Sequence, residues 1–119
     1  MKLERELMRG AGPTAVLQLL SRREMYGYQL VEALDQRTQG VLAMGQSTLY
    51  PMLYNLEAKG LIEADWRQAD SGRDRKYYRL TGKGKTKLES DLESWGRLAG
   101  ALTTLGVLAP KAHAQAALA

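Results

Sequence analysis

Ser47-Thr-Leu-Tyr-Pro-Met-Leu-Tyr-Asn-Leu-Glu-Ala-Lys-Gly-Leu-Ile62 decides the fold. Leu49, Leu53 and Leu56 recur at helical spacing, Ser47 is placed to cap that helix, and Gly60 to stop it. Pro51 has no backbone donor, so it is tolerated only near the helix start, where N–H groups lack a helical partner; the helix therefore begins close to Gln46. Directly after Gly60 the period changes. Ile62, Ala64 and Trp66 alternate with Glu63, Asp65 and Arg67, which is the pattern of a strand. The polar turn Gln68-Ala-Asp-Ser-Gly72 and a second strand from Arg75 to Leu80, rich in Tyr and Arg, complete a β-hairpin.

Upstream, Tyr26, Leu30, Val31 and Leu34 place a helix over 26–37, broken at Gly40, with Val41-Leu42-Ala43-Met44 as a short extended run. Residues 2–22 give two helical stretches, carrying Leu3, Leu7 and Met8, then Ala15, Val16, Leu19 and Leu20. Gly10-Ala-Gly-Pro13 between them predicts a kink or a fresh start. Helix, turn and second helix in this order suggest a helix-turn-helix, and a basic hairpin directly behind it is a wing able to straddle a phosphate backbone.

Downstream, Thr81 caps a final helix in which Leu88, Leu92, Trp95, Ala99 and Leu102 step by four and three. From Gly82 to about Leu108 that helix spans on the order of 40 Å, more than a winged-helix core can cover. The stripe is therefore expected to pack against a second copy of the chain. The expected fold is mainly α with a small β-hairpin. A winged helix-turn-helix with its N-terminal helix occupies 1–80, a dimerisation helix 81–109, and an Ala-rich, flexible tail 110–119.

A chain of 119 residues suffices for one core. It has no cysteine, and its single histidine, His113, sits in the Ala-rich tail, so neither a metal site nor a cofactor is expected. The first residues alternate charges without the apolar core of a signal peptide, and no apolar run approaches membrane-spanning length, which points to the cytoplasm. With no cysteine, no histidine in an ordered segment and no glycine loop suited to phosphates, the chain does not read as an enzyme.

The net charge of +4 is unevenly placed. Between Arg67 and Lys87 stand eight basic residues against Asp70 and Asp74, so this stretch carries +6 and the remainder −2. Such a patch suits a polyanion, although a solvated turn rich in lysine looks the same from sequence. Gln46, Ser47, Thr48, Tyr50, Tyr54 and Asn55 lie at the start or outer face of the second helix of the pair. Gln and Asn can bond an adenine edge, Thr can touch a thymine methyl, and Ser or Tyr can hold a phosphate. Arg73, Arg75 and Lys76 at the hairpin are candidate phosphate or minor-groove contacts. Ordinary solvent exposure is the competing account of both sets.

Three stretches resemble the PadR family of bacterial transcriptional regulators: Tyr26-Gly-Tyr-Gln-Leu30, the opening stretch Ser47–Ile62, and Arg75-Lys-Tyr-Tyr-Arg-Leu-Thr-Gly-Lys-Gly84. The family often has His where Tyr26 stands, Gly at Ser47, and basic residues at Tyr54 and Asn55. These departures bear on the operator rather than the fold. The resemblance implies a sequence-specific, double-stranded-DNA-binding homodimer on a palindromic operator, with repression relieved by a small effector. The single C-terminal helix looks like that of the family's short subgroup, in which it forms the dimer. In some members a Trp on this helix contacts the effector, so Trp95, with Leu92 and Ala99 beside it and Gly96 and Gly100 leaving room, is a candidate site for a planar aromatic compound. The alternative is a winged-helix module that binds protein or RNA without an effector.

Overall fold

Leucines set the architecture. Val16, Leu17, Leu19 and Leu20 from the first helix, Leu30 and Leu34 from the second, and Leu49, Leu53 and Leu56 from the third share one buried cluster. The computed structural model describes residues 3–109, with the order α1 (Arg5–Arg22), β1 (Met25–Tyr26), α2 (Gly27–Gln36), α3 (Gln46–Ala58), β2 (Ile62–Gln68), β3 (Asp74–Leu80) and α4 (Gly82–Thr104). The chain divides into two compact units, one ending at Leu88 and the other beginning at Glu89.

The hairpin supplies two strands of a three-stranded antiparallel sheet in the order β1-β3-β2. Ile62 faces Leu80, Ala64 faces Tyr78 and Trp66 faces Lys76, while Met25 and Tyr26 pair with Tyr78 and Tyr77 on the other side of β3. The inward face of the hairpin is rooted in the helical core through Ile62 and Tyr78, both buried. Helices α2 and α3 followed by this hairpin make a winged helix-turn-helix.

Several local expectations are corrected. α1 is a single helix running through Pro13, not two segments. Pro inside a helix costs about 3 kcal/mol, and the offset comes from the burial of Gly12, Val16 and Leu17 on the same helix. Tyr26 belongs to β1, and α2 starts one residue later, with the Tyr26 N–H donating to Gln29 Oε1 at 3.1 Å. Val41–Met44 forms no strand. Gly40 (φ +84°) and hydrogen bonds from Val41 to Thr38 and from Ala43 to Gly40 place Val41 and Leu42 in turns, and Ala43 and Met44 belong to no regular element. The Thr38 hydroxyl accepts from Leu42 N–H at 3.0 Å, and Met44 is delivered to the core. Ser47 does not cap α3. Gly45 is the N-cap, its carbonyl accepting from Thr48 and Leu49, and Ser47 sits exposed in the first turn.

At the α3–β2 junction Gly60 takes φ +74°, and Leu61 is buried beneath the start of α4. The Thr81 hydroxyl donates to the carbonyl of Gly60 or Leu61, 2.7 and 3.0 Å away, and accepts from Gly84 N–H at 2.9 Å, so it both caps α4 and ties it to this corner. A Cβ on Gly84 would stand 2.0 Å from the Leu61 carbonyl oxygen; only glycine fits. Leu88, expected on the dimerisation stripe, is 6% exposed and packs within the core cluster of its own chain. α4 ends at Thr104, short of Leu108, with Gly106 at φ +84° closing it. His113 and the tail 110–119 lie outside the described residues.

Candidate nucleic-acid interface

The core leucines of α3 point inward, which turns the rest of its surface out. Gln46, Ser47, Thr48, Tyr50, Tyr54 and Asn55 are all exposed, with Tyr54 at 73%. Tyr50 is the most constrained of the set. It packs on the start of α2 so closely that a Cβ on Gly27 would lie 2.3 Å from its hydroxyl oxygen, so a larger residue there would move the Tyr50 ring.

On the wing the cations differ in their freedom. Arg67 pairs with Glu24 at 2.6 Å and Asp65 at 3.0 Å, and Arg79 with Asp65 at 2.6 Å and Glu63 at 3.0 Å. Hydrogen bonds from Arg67, then Arg79, hold the Asp65 carboxyl below its ordinary value and raise both arginines. These two arginines therefore shape the outer face of the hairpin, and much of their charge is already balanced. Lys76 reaches back to α3, its Nζ 3.4 Å from Glu57 Oε1 and 5.4 Å from the centre of the Tyr78 ring. Burial is the first cause raising the Tyr78 hydroxyl. Arg75 lies 4.3 Å over the Tyr26 ring, which meets Tyr77 edge-on at 5.3 Å. Arg73 and Arg75 make no ion pair among the described residues. The five hairpin cations of the basic patch thus resolve into two available ones, one tethered to α3, and two paired with carboxylates.

Between the wing and the starts of α2 and α3 lies a groove of about 780 Å³. Tyr26, Tyr28, Tyr50, Trp66 and Tyr78 supply its aromatic lining, and Arg73, Arg75 and Lys76 its cations, against Asp74 as the only lining carboxylate among the described residues. It brings together three of the expected wing residues and one from α3. Tyr28 and Trp66 were not among the expected contacts. The sequence put Trp66 on the strand face of Ile62 and Ala64; that face runs beyond the body, leaving the indole 69% exposed.

The sequence matches the transcriptional regulator PadR-like family over residues 16–90, which contain α2, α3, the wing and the start of α4. The chain belongs to the PadR-like family. Among its relatives, transcriptional regulator Rv3488 of Mycobacterium tuberculosis is 35% identical over 95 residues, covering 80% of this chain and 85% of that protein. A PadR family transcriptional regulator of Eggerthella lenta is also 35% identical, with a TM-score of 0.74 over 84% of this chain and 85% of that one. A PadR-like transcriptional regulator of Bacillus cereus superposes with a TM-score of 0.75 at 29% identity, covering 84% and 95%. As a PadR-like regulator the chain has a fold for which DNA is the implied partner. No helix among the described residues is long and apolar enough to cross a membrane.

Proposed function

We propose that this PadR-like protein is a cytoplasmic, sequence-specific DNA-binding repressor that acts as a homodimer on an inverted-repeat operator and is released by a small effector. The observation that carries the DNA reading is the joint presentation of α3 and the wing: a leucine face fixes α3 to the core, its polar face is exposed, and Tyr50 continues that face into a cation-bearing groove. α3 would enter the major groove, with Gln46, Thr48 and Asn55 at base edges and Ser47, Tyr50 and Tyr54 at bases or phosphates. Arg73 and Arg75 would hold phosphates, and Lys76 would do so from its tether to Glu57.

The dimer rests on α4 beyond Leu88. Leu92 and Trp95 are 48% and 38% exposed in the single chain, and Ala99 and Leu102 continue their stripe. Pairing two such helices would bury it and bring the Trp95 indoles, flanked by Leu92 and Ala99, to a site suited to flat aromatic compounds. Release would require that a compound bind one spacing of the two α3 helices better than another.

The deciding experiment selects bound duplexes from random DNA and then screens compounds that release the protein. An inverted repeat with half-sites about one helical turn apart, or a small multiple, is the expected product. Enrichment of no sequence, with binding to RNA or protein instead, would replace this reading.

A further inference from the structure

We propose that the groove between the wing and the start of α2 holds one sugar–phosphate strand of the DNA, with Trp66 on one wall and Tyr28 on the other pressing on that strand. The proposal rests on the DNA-binding reading above and adds two contacts to it. Trp66 and Tyr28 are 69% and 53% exposed, yet they come from different elements and line the same groove. The lining carries three cations and one carboxylate, which suits a polyanion. Of those cations Lys76 is already engaged by Glu57, so the charge on offer sits at the wing end, with Arg73 and Arg75. The remaining wall is aromatic, and its contribution to binding is contact with the flat edge of a deoxyribose and hydrogen bonds from indole and phenol donors to phosphate oxygens.

Two features choose a strand of duplex over other occupants. Both walls stay open to solvent, which suits a polymer passing through and not a small molecule enclosed. Tyr50 belongs at once to the groove and to the exposed face of α3, so a backbone lying in the groove continues into the site where α3 meets base edges. A single strand stacking its bases on the same aromatic rings is the competing occupant.

The test uses the full chain labelled with 5-fluorotryptophan, the residue-66 resonance being assigned by its loss in Trp66→Phe. Backbone contacts do not depend on sequence, so a duplex of arbitrary sequence about 30 base pairs long serves as probe at low salt. On binding, the Trp66 fluorine should lose its solvent isotope shift. Trp66→Ala should weaken binding about threefold to tenfold while leaving the slope of log affinity against log salt unchanged. Arg73→Ala should instead make that slope shallower by about one. Tyr28→Phe, which keeps the ring, should lose less than Tyr28→Ala. A Trp66 resonance that stays solvent-exposed in the complex, with Trp66→Ala binding like wild type, overturns the groove assignment and leaves the DNA reading standing. Tighter binding of a single strand than of its duplex overturns the assignment in favour of stacked bases. Failure to bind any nucleic acid overturns the DNA reading and this proposal together.

Discussion

Gly84→Ala isolates one contact whose effect opposes helix propensity. An alanine Cβ at this position would lie 2.0 Å from the Leu61 carbonyl oxygen, 2.8 Å from Leu80 Cδ1 and 3.0 Å from the Leu61 carbonyl carbon. Ordinary contact begins near 3.4 Å, so the oxygen and the new methyl must part by about 1.4 Å. The oxygen is backbone in a corner pinned by Gly60 at φ +74° and by the Thr81 N–H bond to Leu61 at 3.1 Å, so it cannot rotate aside as a side chain would. Overpacking of this kind costs about 1–3 kcal/mol. Displacing α4 also weakens the hydrogen bonds around Thr81, at about 1 kcal/mol for each one lost. Against this, Ala is favoured over Gly inside a helix by about 1 kcal/mol. The balance is a loss of about 2 kcal/mol, measurable as a lower urea midpoint with an unchanged denaturant slope. Gly82→Ala is the internal control, since a Cβ there meets nothing within 4 Å; it should be neutral or slightly stabilising. Gly84→Ala as stable as Gly82→Ala would refute the close approach between α4 and the α3–β2 corner.

Leu88→Ala should cost about 2–4 kcal/mol of folding stability at every protein concentration, because Leu88 fills the core of its own chain. Leu92→Asp should leave the winged-helix body folded and shift sedimentation from dimer to monomer; equal loss of stability in both variants would contradict the division at Leu88. Tyr54→Ala and Asn55→Ala should alter which duplexes are selected, whereas Arg75→Ala should weaken all duplexes alike with a shallower salt slope, and exchanged outcomes would invert the roles of α3 and the wing. The Asp65 carboxyl is held below its ordinary value of 3.8 by Arg67 first and Arg79 second. A depressed folded value contributes stability above the unfolded one that is lost as pH falls through the folded one. Asp65→Asn should therefore be less stable than wild type near neutrality, and their urea midpoints should converge on acidification below 3.8; a constant difference across that range would sink the assignment.

The winged-helix order was legible because it rests on long patterns: leucines at helical spacing in α3, alternation in β2, and glycines where the chain turns. What escaped was either short or decided by distant contacts. β1 is two residues long and exists only because β3 offers it an edge, and no periodicity can reveal so short a strand. Pro13 reads locally as a break, and the helix continues through it because its neighbours on α1 are buried. Leu88 fits the α4 stripe as well as Leu92 does, since period alone cannot tell which chain a leucine faces. At the candidate interface, the exposed face of α3 followed from where its leucines point. The sorting of the basic residues did not, because Arg67 and Arg79 look as free as Arg73 until Asp65, Glu63 and Glu24 are brought beside them. The exposure of Trp66 was not legible, because alternation gives a face but not where the body beneath it ends.

The rooting of the wing in the same core as α3 has one further consequence. Ile62 and Tyr78 are buried with Leu49 and Leu53, and Lys76 reaches across to Glu57, so the chain holds α3 and the wing like the jaws of a fixed caliper. The gap between those jaws is not adjustable without opening the hydrophobic cluster. In a paired molecule the only inexpensive adjustment is the distance between one caliper and the other. Any signal that loosens such a protein from a two-part site would then leave each half gripping isolated half-sites as firmly as before.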